Sequence, residues 1–142
     1  AGYTRQSHGS LAKGMLSAVK LISGEDERIR AYSLSVYESP MIIAEKVGEL
    51  LAEKPAPTAI LCDITSGSVH NNLIEFCSRT DMEVIVMTGM NLAMAIDLVS
   101  KPSSMPLRKR CEEAIQAAHE GIAFFDRDIV EKALHNQCYD EL

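Results

Sequence analysis

The sequence predicts an α/β domain: a doubly wound, mainly parallel sheet with helices on both faces. Two apolar runs carry most of that expectation. Ala59-Ile60-Leu61-Cys62 and Glu83-Val84-Ile85-Val86-Met87-Thr88 are apolar almost throughout, the pattern of strands covered on both faces. Segments with apolar residues at helical spacing separate these runs, and a repeated β-α order implies a parallel sheet. The chain has 142 residues, 46% of them hydrophobic, which suits one domain with an ordinary core and no disulfide or metal staple.

The elements follow in order. Tyr3-Thr4-Arg5-Gln6 takes the place of a first strand by position, although it is more polar than a buried strand usually is; Ala1-Gly2-Tyr3 is given no weight. Leu11, Met15, Val19 and Ile22 fall on one helical face, so residues 9–23 are read as an amphipathic helix stopped by Gly24. Ile29 to Leu34 form a second strand after the charged loop Glu25-Asp26-Glu27-Arg28. Ser39-Pro40 supplies an N-cap and a first-turn proline for a helix with the stripe Ile43, Val47, Leu50 and Leu51. After Pro55-Ala56-Pro57 comes the third strand, then a helix marked by Val69, Leu73, Phe76 and Cys77, the fourth strand, and a helix marked by Leu92, Ala95, Ile96 and Val99. From Pro106 to about Glu120, Leu107, Cys111, Ala114, Ile115 and Ala118 define a fifth helix ended by Gly121. Ile122-Ala123-Phe124-Phe125 then predicts a short last strand at the sheet edge. Residues 1–126 make the domain, with sheet order 2-1-3-4, and residues 127–142 an acidic, weakly helical tail.

Composition narrows function. Fourteen Lys+Arg against twenty Asp+Glu give a net charge of −6. The one short basic run, Arg108-Lys109-Arg110, reads as a solvated helix face, so nucleic acid is not an expected partner. Cys62, Cys77, Cys111 and Cys138 lie far apart and read as reduced packing residues. No run approaches the roughly 18 apolar residues of a membrane span, and no signal-peptide layout is present, so a cytoplasmic setting is expected. His70, His119 and His135 lack metal-ligand spacing; no metal and no cofactor are expected. Met87, Met90 and Met94 read as core and pocket-wall filler, and Asn91 as a helix N-cap.

Two turns carry the chemistry. Ser7-His8-Gly9-Ser10 sets an imidazole just before a helix, whose free N–H groups suit an anion. Asp63-Ile64-Thr65-Ser66-Gly67-Ser68 follows the third strand. In the order 2-1-3-4, strands one and three are neighbours whose connections leave in opposite directions, opening a crevice at their carboxyl ends. There Asp63 would accept from Nδ1–H of His8, leaving Nε2 bare and nucleophilic. Gly9 and Ser10 on one side, Gly67 and Ser68 on the other, would receive phosphoryl oxygens, each helix end adding roughly 0.3–1 kcal/mol.

Ser7-His8-Gly9, then Leu11-Ala12, then Asp63 ahead of Gly67-Ser68 and Asn71, then Thr88-Gly89-Met90-Asn91-Leu92-Ala93-Met94, resembles the mannose/fructose/sorbose-type IIA component of the bacterial phosphoenolpyruvate-dependent sugar phosphotransferase system. The likeness runs from about Thr4 to Phe125. It implies a cytoplasmic homodimeric phosphocarrier that accepts a phosphoryl group from phospho-HPr on His8 and passes it to a IIB component, with Asp63 as partner and Ser68 as phosphate binder. It also implies exchange of the strand Ile122–Phe125 across the dimer, and indirect association with IIC and IID membrane subunits. The chain departs from the family's Gly-Gly-Ser-Pro in reading Ser66-Gly67-Ser68-Val69, and carries His70 where an apolar or aromatic residue is common. The alternatives are a regulatory or dihydroxyacetone-kinase-type phosphocarrier of the same fold, and a histidine phosphatase. The phosphatase would need an arginine where Ser7 stands. A flavin carrier would want more rings than three Phe, four Tyr and no Trp provide.

Overall fold

The computed structural model describes residues 2–8, 10–34, 39, 41–63 and 68–140, with backbone alone at 2–8, 34 and 137–140. Strands and helices alternate: β1 (Gly2–His8), α1 (Leu11–Ser23), β2 (Ile29–Leu34), α2 (Met41–Glu53), β3 (Thr58–Cys62), α3 (Ser68–Arg79), β4 (Val84–Met87), α4 (Leu92–Ser100), α5 (Leu107–Glu120) and α6 (Arg127–Asp140). The four strands form one parallel sheet in the order β2-β1-β3-β4. The polar segment Tyr3–Gln6 thus lies in a central strand that begins at Gly2.

Every residue of β3 is buried, because its alternating side chains feed two cores. Ala59 and Leu61 join the larger one beneath α1, α4 and α5 with Val19, Met94, Leu98 and Ala114. Ile60 and Cys62 join the smaller one beneath α2 and α3 with Ile43, Val47 and Leu73. Burying each large aliphatic side chain is worth about 1.5–3 kcal/mol.

Local chemistry sets the helix ends. Gly24 closes α1 at φ 82°, its N–H bonded to Lys20 O, a backbone conformation costly for residues with a Cβ. Ser39 starts α2: its Oγ accepts from Met41 N–H at 3.3 Å and its carbonyl from Ile42 N–H at 3.0 Å. Lys101 ties α4 to α5, bridging Asp97 at 3.5 Å and Glu113 at 3.1 Å.

Several expectations are corrected. Ile122–Phe125 form no strand: they run without regular structure after α5, with Phe124 and Phe125 74% and 76% exposed. A strand needs a neighbour for its backbone groups, and this segment pairs with none of the described strands of its own chain. Arg108-Lys109-Arg110 is not one solvated face, since Arg110 is only 3% exposed. Successive helical residues turn by about 100°, so Arg110 shares the inward face of Leu107 and Ala114, while Ile115 turns outward and is exposed. In α1 the buried positions are Ala12 and Val19, and Leu11 and Ile22 at its two ends are exposed. The tail residues 127–140 form a regular helix, α6, capped by Asp126, whose Oδ1 accepts from Ile129 N–H at 2.9 Å. Arg127–Glu131 and Asp128–Lys132 pairs stiffen it, and none of its described side chains is buried. Among the described residues, no helix is long and apolar enough to cross a membrane.

Candidate functional site

His8 is the last residue of β1, in register with Leu34 of β2. On the other side β1 pairs with β3, and the last pair is Gln6 with Cys62. Asp63 therefore lies one residue past that pair and His8 two residues past it, on adjacent parallel strands. With strands about 4.8 Å apart and about 3.3 Å per residue, the two backbones come within roughly 6 Å. β1 leads through α1 to β2 on one side, and β3 leads through α3 to β4 on the other, so the chain diverges here, the topological position at which open α/β sheets place their binding crevice.

Ser10 occupies the N-cap position of α1, exposed, and its side chain makes no capping bond. Its carbonyl accepts from Gly14 N–H at 3.0 Å. Ser68 opens α3, also exposed, with its carbonyl accepting from Asn72 Nδ2 at 2.8 Å. The first N–H groups of each helix have no acceptor within their own helix. Gly9 and Gly67 lie outside the described residues, as does the side chain of His8.

Asp63 is half-buried, and its negative charge reaches into the core. The Cys62 thiol is pushed up to about 12, first by burial and then by that charge. Burial likewise pushes Cys111 up to about 11. Both are neutral packing groups at physiological pH.

The turn after β4 gives this rim a further element, one that sequence reasoning left without a role. Gly89 has φ 71°, and Met90 N–H donates to Cys62 O at 2.9 Å. Asn91 then caps α4, its Oδ1 accepting from Met94 N–H at 2.8 Å. Met87, Met90 and Met94 are buried in the larger core. The sequence signals were a glycine two residues before an N-cap and its place in the Thr88–Met94 stretch that carries the family resemblance.

The opposite rim is chemically different. A cleft of about 280 Å³ there is lined by Arg28, Arg30, Leu51, Lys54 and Thr58, but its guanidinium groups already have partners. Arg28 pairs with Asp26 at 2.6 Å, and Arg30 donates to the carbonyls of Glu27 and Ile29.

The fold is thus that of an open parallel α/β protein whose topological switch point lies between the end of β1 at His8 and Asp63 after β3. Residues 6–115 match the family model described as PTS system fructose IIA component, and the chain belongs to that family, the mannose/fructose-type IIA components of the sugar phosphotransferase system. It is similar to a solved Klebsiella pneumoniae protein assigned as a phosphoenolpyruvate-dependent sugar phosphotransferase system permease, with 31% identity, TM-score 0.76, and coverage of 90% of this chain and 93% of that one. At fold level it matches phosphotransferase system component EIIA of Streptococcus agalactiae, with TM-score 0.81, 22% identity and coverage of 87% and 96%. It also matches the mannose/sorbose specific IIA subunit of Enterococcus faecalis, with TM-score 0.76, 23% identity and coverage of 88% and 94%. No curated protein sequence matches the chain. Membership supports a phosphocarrier role in sugar phosphotransfer.

Proposed function

We propose that this chain takes a phosphoryl group from phospho-HPr on His8 and passes it to a IIB component during coupled sugar uptake and phosphorylation. The reading rests on one observation above all: β1 ends at His8 beside the β3 strand that runs into Asp63. In the proposed step, Nδ1–H of His8 donates to the Asp63 carboxylate, so the lone pair of Nε2 faces the crevice. Nε2 attacks phosphorus, the bond from phosphorus to the donor breaks, and the donor atom keeps that electron pair. The imidazolium that forms is stabilised by Asp63. The backbone N–H groups of Gly9, Ser10, Gly67 and Ser68 hold the phosphoryl oxygens at two helix beginnings. Transfer to IIB runs the same step in reverse.

The finer parts of the reading follow the family. The working form is a homodimer in which Ile122–Phe125, exposed and unpaired with the described strands of its own chain, adds to the sheet of a second copy. Residues 1–126 are the carrier domain, acting in the cytoplasm and meeting IIC and IID only through IIB.

The test is incubation with phosphoenolpyruvate, enzyme I and HPr, followed by intact mass and mapping of acid-labile, alkali-stable phosphate. One phosphoryl group on His8 is expected, and none in His8→Ala. Label persisting at another residue in His8→Ala refutes the assignment. Light scattering that gives a monomer removes the strand exchange and leaves the phosphoryl chemistry standing.

A further inference from the structure

We infer that Gly89 is a positioning residue for Asp63, acting through the Met90–Cys62 backbone hydrogen bond. The inference rests on the proposed pairing of Asp63 with His8. Regular pairing between β3 and β4 stops at Leu61 with Met87. Past that point β4 turns at Gly89, in the left-handed region at φ 71°, and Met90 N–H returns to the Cys62 carbonyl at 2.9 Å. That carbonyl belongs to the peptide joining Cys62 to Asp63. The peptide unit is planar, so fixing the direction of its C=O also fixes its N–H and the Cα of Asp63. This backbone bond from the β4 side therefore holds the plane from which the carboxylate hangs.

The turn is itself held at its far end. Met90 and Met94 are buried in the larger core, and Asn91 caps α4 directly afterwards. The φ of Gly89 sets how the chain passes from β4 into this fixed end, and with it the aim of the Met90 N–H at the Cys62 carbonyl. A Cβ built on Gly89 meets nothing within 4 Å and the residue is exposed, so Gly89→Ala acts through backbone conformation and not through a clash. Ala and Val resist positive φ, whereas Asn tolerates it. The fastening thus carries a conformational signature that a general packing role would not produce.

The test compares wild type, Gly89→Val, Gly89→Ala, Gly89→Asn and Asp63→Asn as full chains. Three properties are read: the single-turnover rate of phosphoryl transfer from phospho-HPr, the tautomer of neutral His8 by ¹⁵N imidazole NMR, and protection of the Met90 amide against hydrogen exchange. Gly89→Val should slow transfer roughly tenfold to a hundredfold, as a misplacement on the ångström scale does. It should also move His8 away from the Nδ1–H form and release the Met90 amide. Gly89→Ala should fall between it and wild type, and Gly89→Asn should restore all three properties. Gly89→Val and Gly89→Ala that fold and match wild type in rate and tautomer overturn the inference. So does a loss that Gly89→Asn does not repair. If Asp63→Asn also leaves the tautomer unchanged, the His8–Asp63 pairing itself has failed; if Asp63→Asn changes it while the Gly89 variants do not, only the Gly89 inference has.

Discussion

Replacing Asp63 by Asn removes one charge and two lone pairs while keeping shape, which isolates what the carboxylate would do for His8 in the proposed pairing. In the proposed pairing, a carboxylate hydrogen-bonded to Nδ1 has its charge about 4 Å from the imidazolium, close enough for a direct Coulomb interaction. At an effective dielectric constant of about 20 that is worth about 4 kcal/mol. Asp63 is only half-buried, so solvent screening should leave about 2 kcal/mol, roughly thirtyfold in rate. The amide can also present its NH₂ to Nδ1 and so favour the tautomer with the proton on Nε2, masking the nucleophile. Where a carboxylate orients a catalytic histidine, the same substitution costs about 10⁴. The expected slowing here is about 10²–10³. Quenched-flow single-turnover transfer from phospho-HPr, with the HPr concentration varied, reads it directly, and the loss should fall on the maximal rate. A rate within threefold of wild type, in a variant whose thermal midpoint is unchanged, would refute the reasoning.

Three further outcomes follow from other parts of the fold. At pH 8, Cys62 in the native chain should alkylate about three orders of magnitude more slowly than an ordinary thiol and Cys111 about two, in keeping with values near 12 and 11; peptide mass mapping that finds either modified at the unfolded-chain rate contradicts this. The Arg28 hydrogen bond, only partly opposed by burial, holds Asp26 below its ordinary 3.8. Its contribution to stability is complete above the unfolded-state carboxylate value and is lost as pH falls through the folded-state one. Arg28→Leu should then cost about 0.5–1 kcal/mol at pH 7 and almost nothing near about pH 2, and urea titrations showing equal cost at both would deny the ionic origin. Truncation after Asp126 should move the thermal midpoint by no more than about 2 °C, because no described side chain of α6 is buried; a drop of about 5 °C or more would show that α6 is packed in the solution assembly.

The sequence was easiest to read where burial is complete on both sides. Ala59–Cys62 and Val84–Met87 stand out because a strand covered by helices on both faces has no polar positions to interrupt it. Face assignments were weaker at helix ends. Leu11 and Ile22 keep the period of α1, but they lie at its two ends and stay exposed. Arg110 was misread because a triplet of charges looks like one patch in one dimension and faces three directions on a helix. The predicted last strand failed in the single chain because strand formation depends on a neighbour, and apolar composition cannot supply one. For the candidate site, the positions of His8 and Asp63 could be read because one ends β1 and the other follows β3, at the carboxyl ends where an α/β sheet gathers its chemistry; their roles belong to the proposal. The part of Gly89 was not legible: a hydrogen bond between main-chain atoms of Met90 and Cys62 leaves no side-chain pattern to find.

The parallel sheet separates the two ends of the molecule in a way that experiment can exploit. The turns at Gly24–Arg28, Pro55–Pro57 and Thr80–Glu83 all lie at the amino ends of strands, and Pro55 and Pro57 are exposed. A dye or affinity peptide grafted at Pro55–Pro57 would stand the length of β3, about 16 Å, from the carboxylate turn. Labelled and unlabelled molecules should thus be interchangeable in phosphoryl-transfer assays, and the protein becomes trackable without a change at the rim where the proposed site lies.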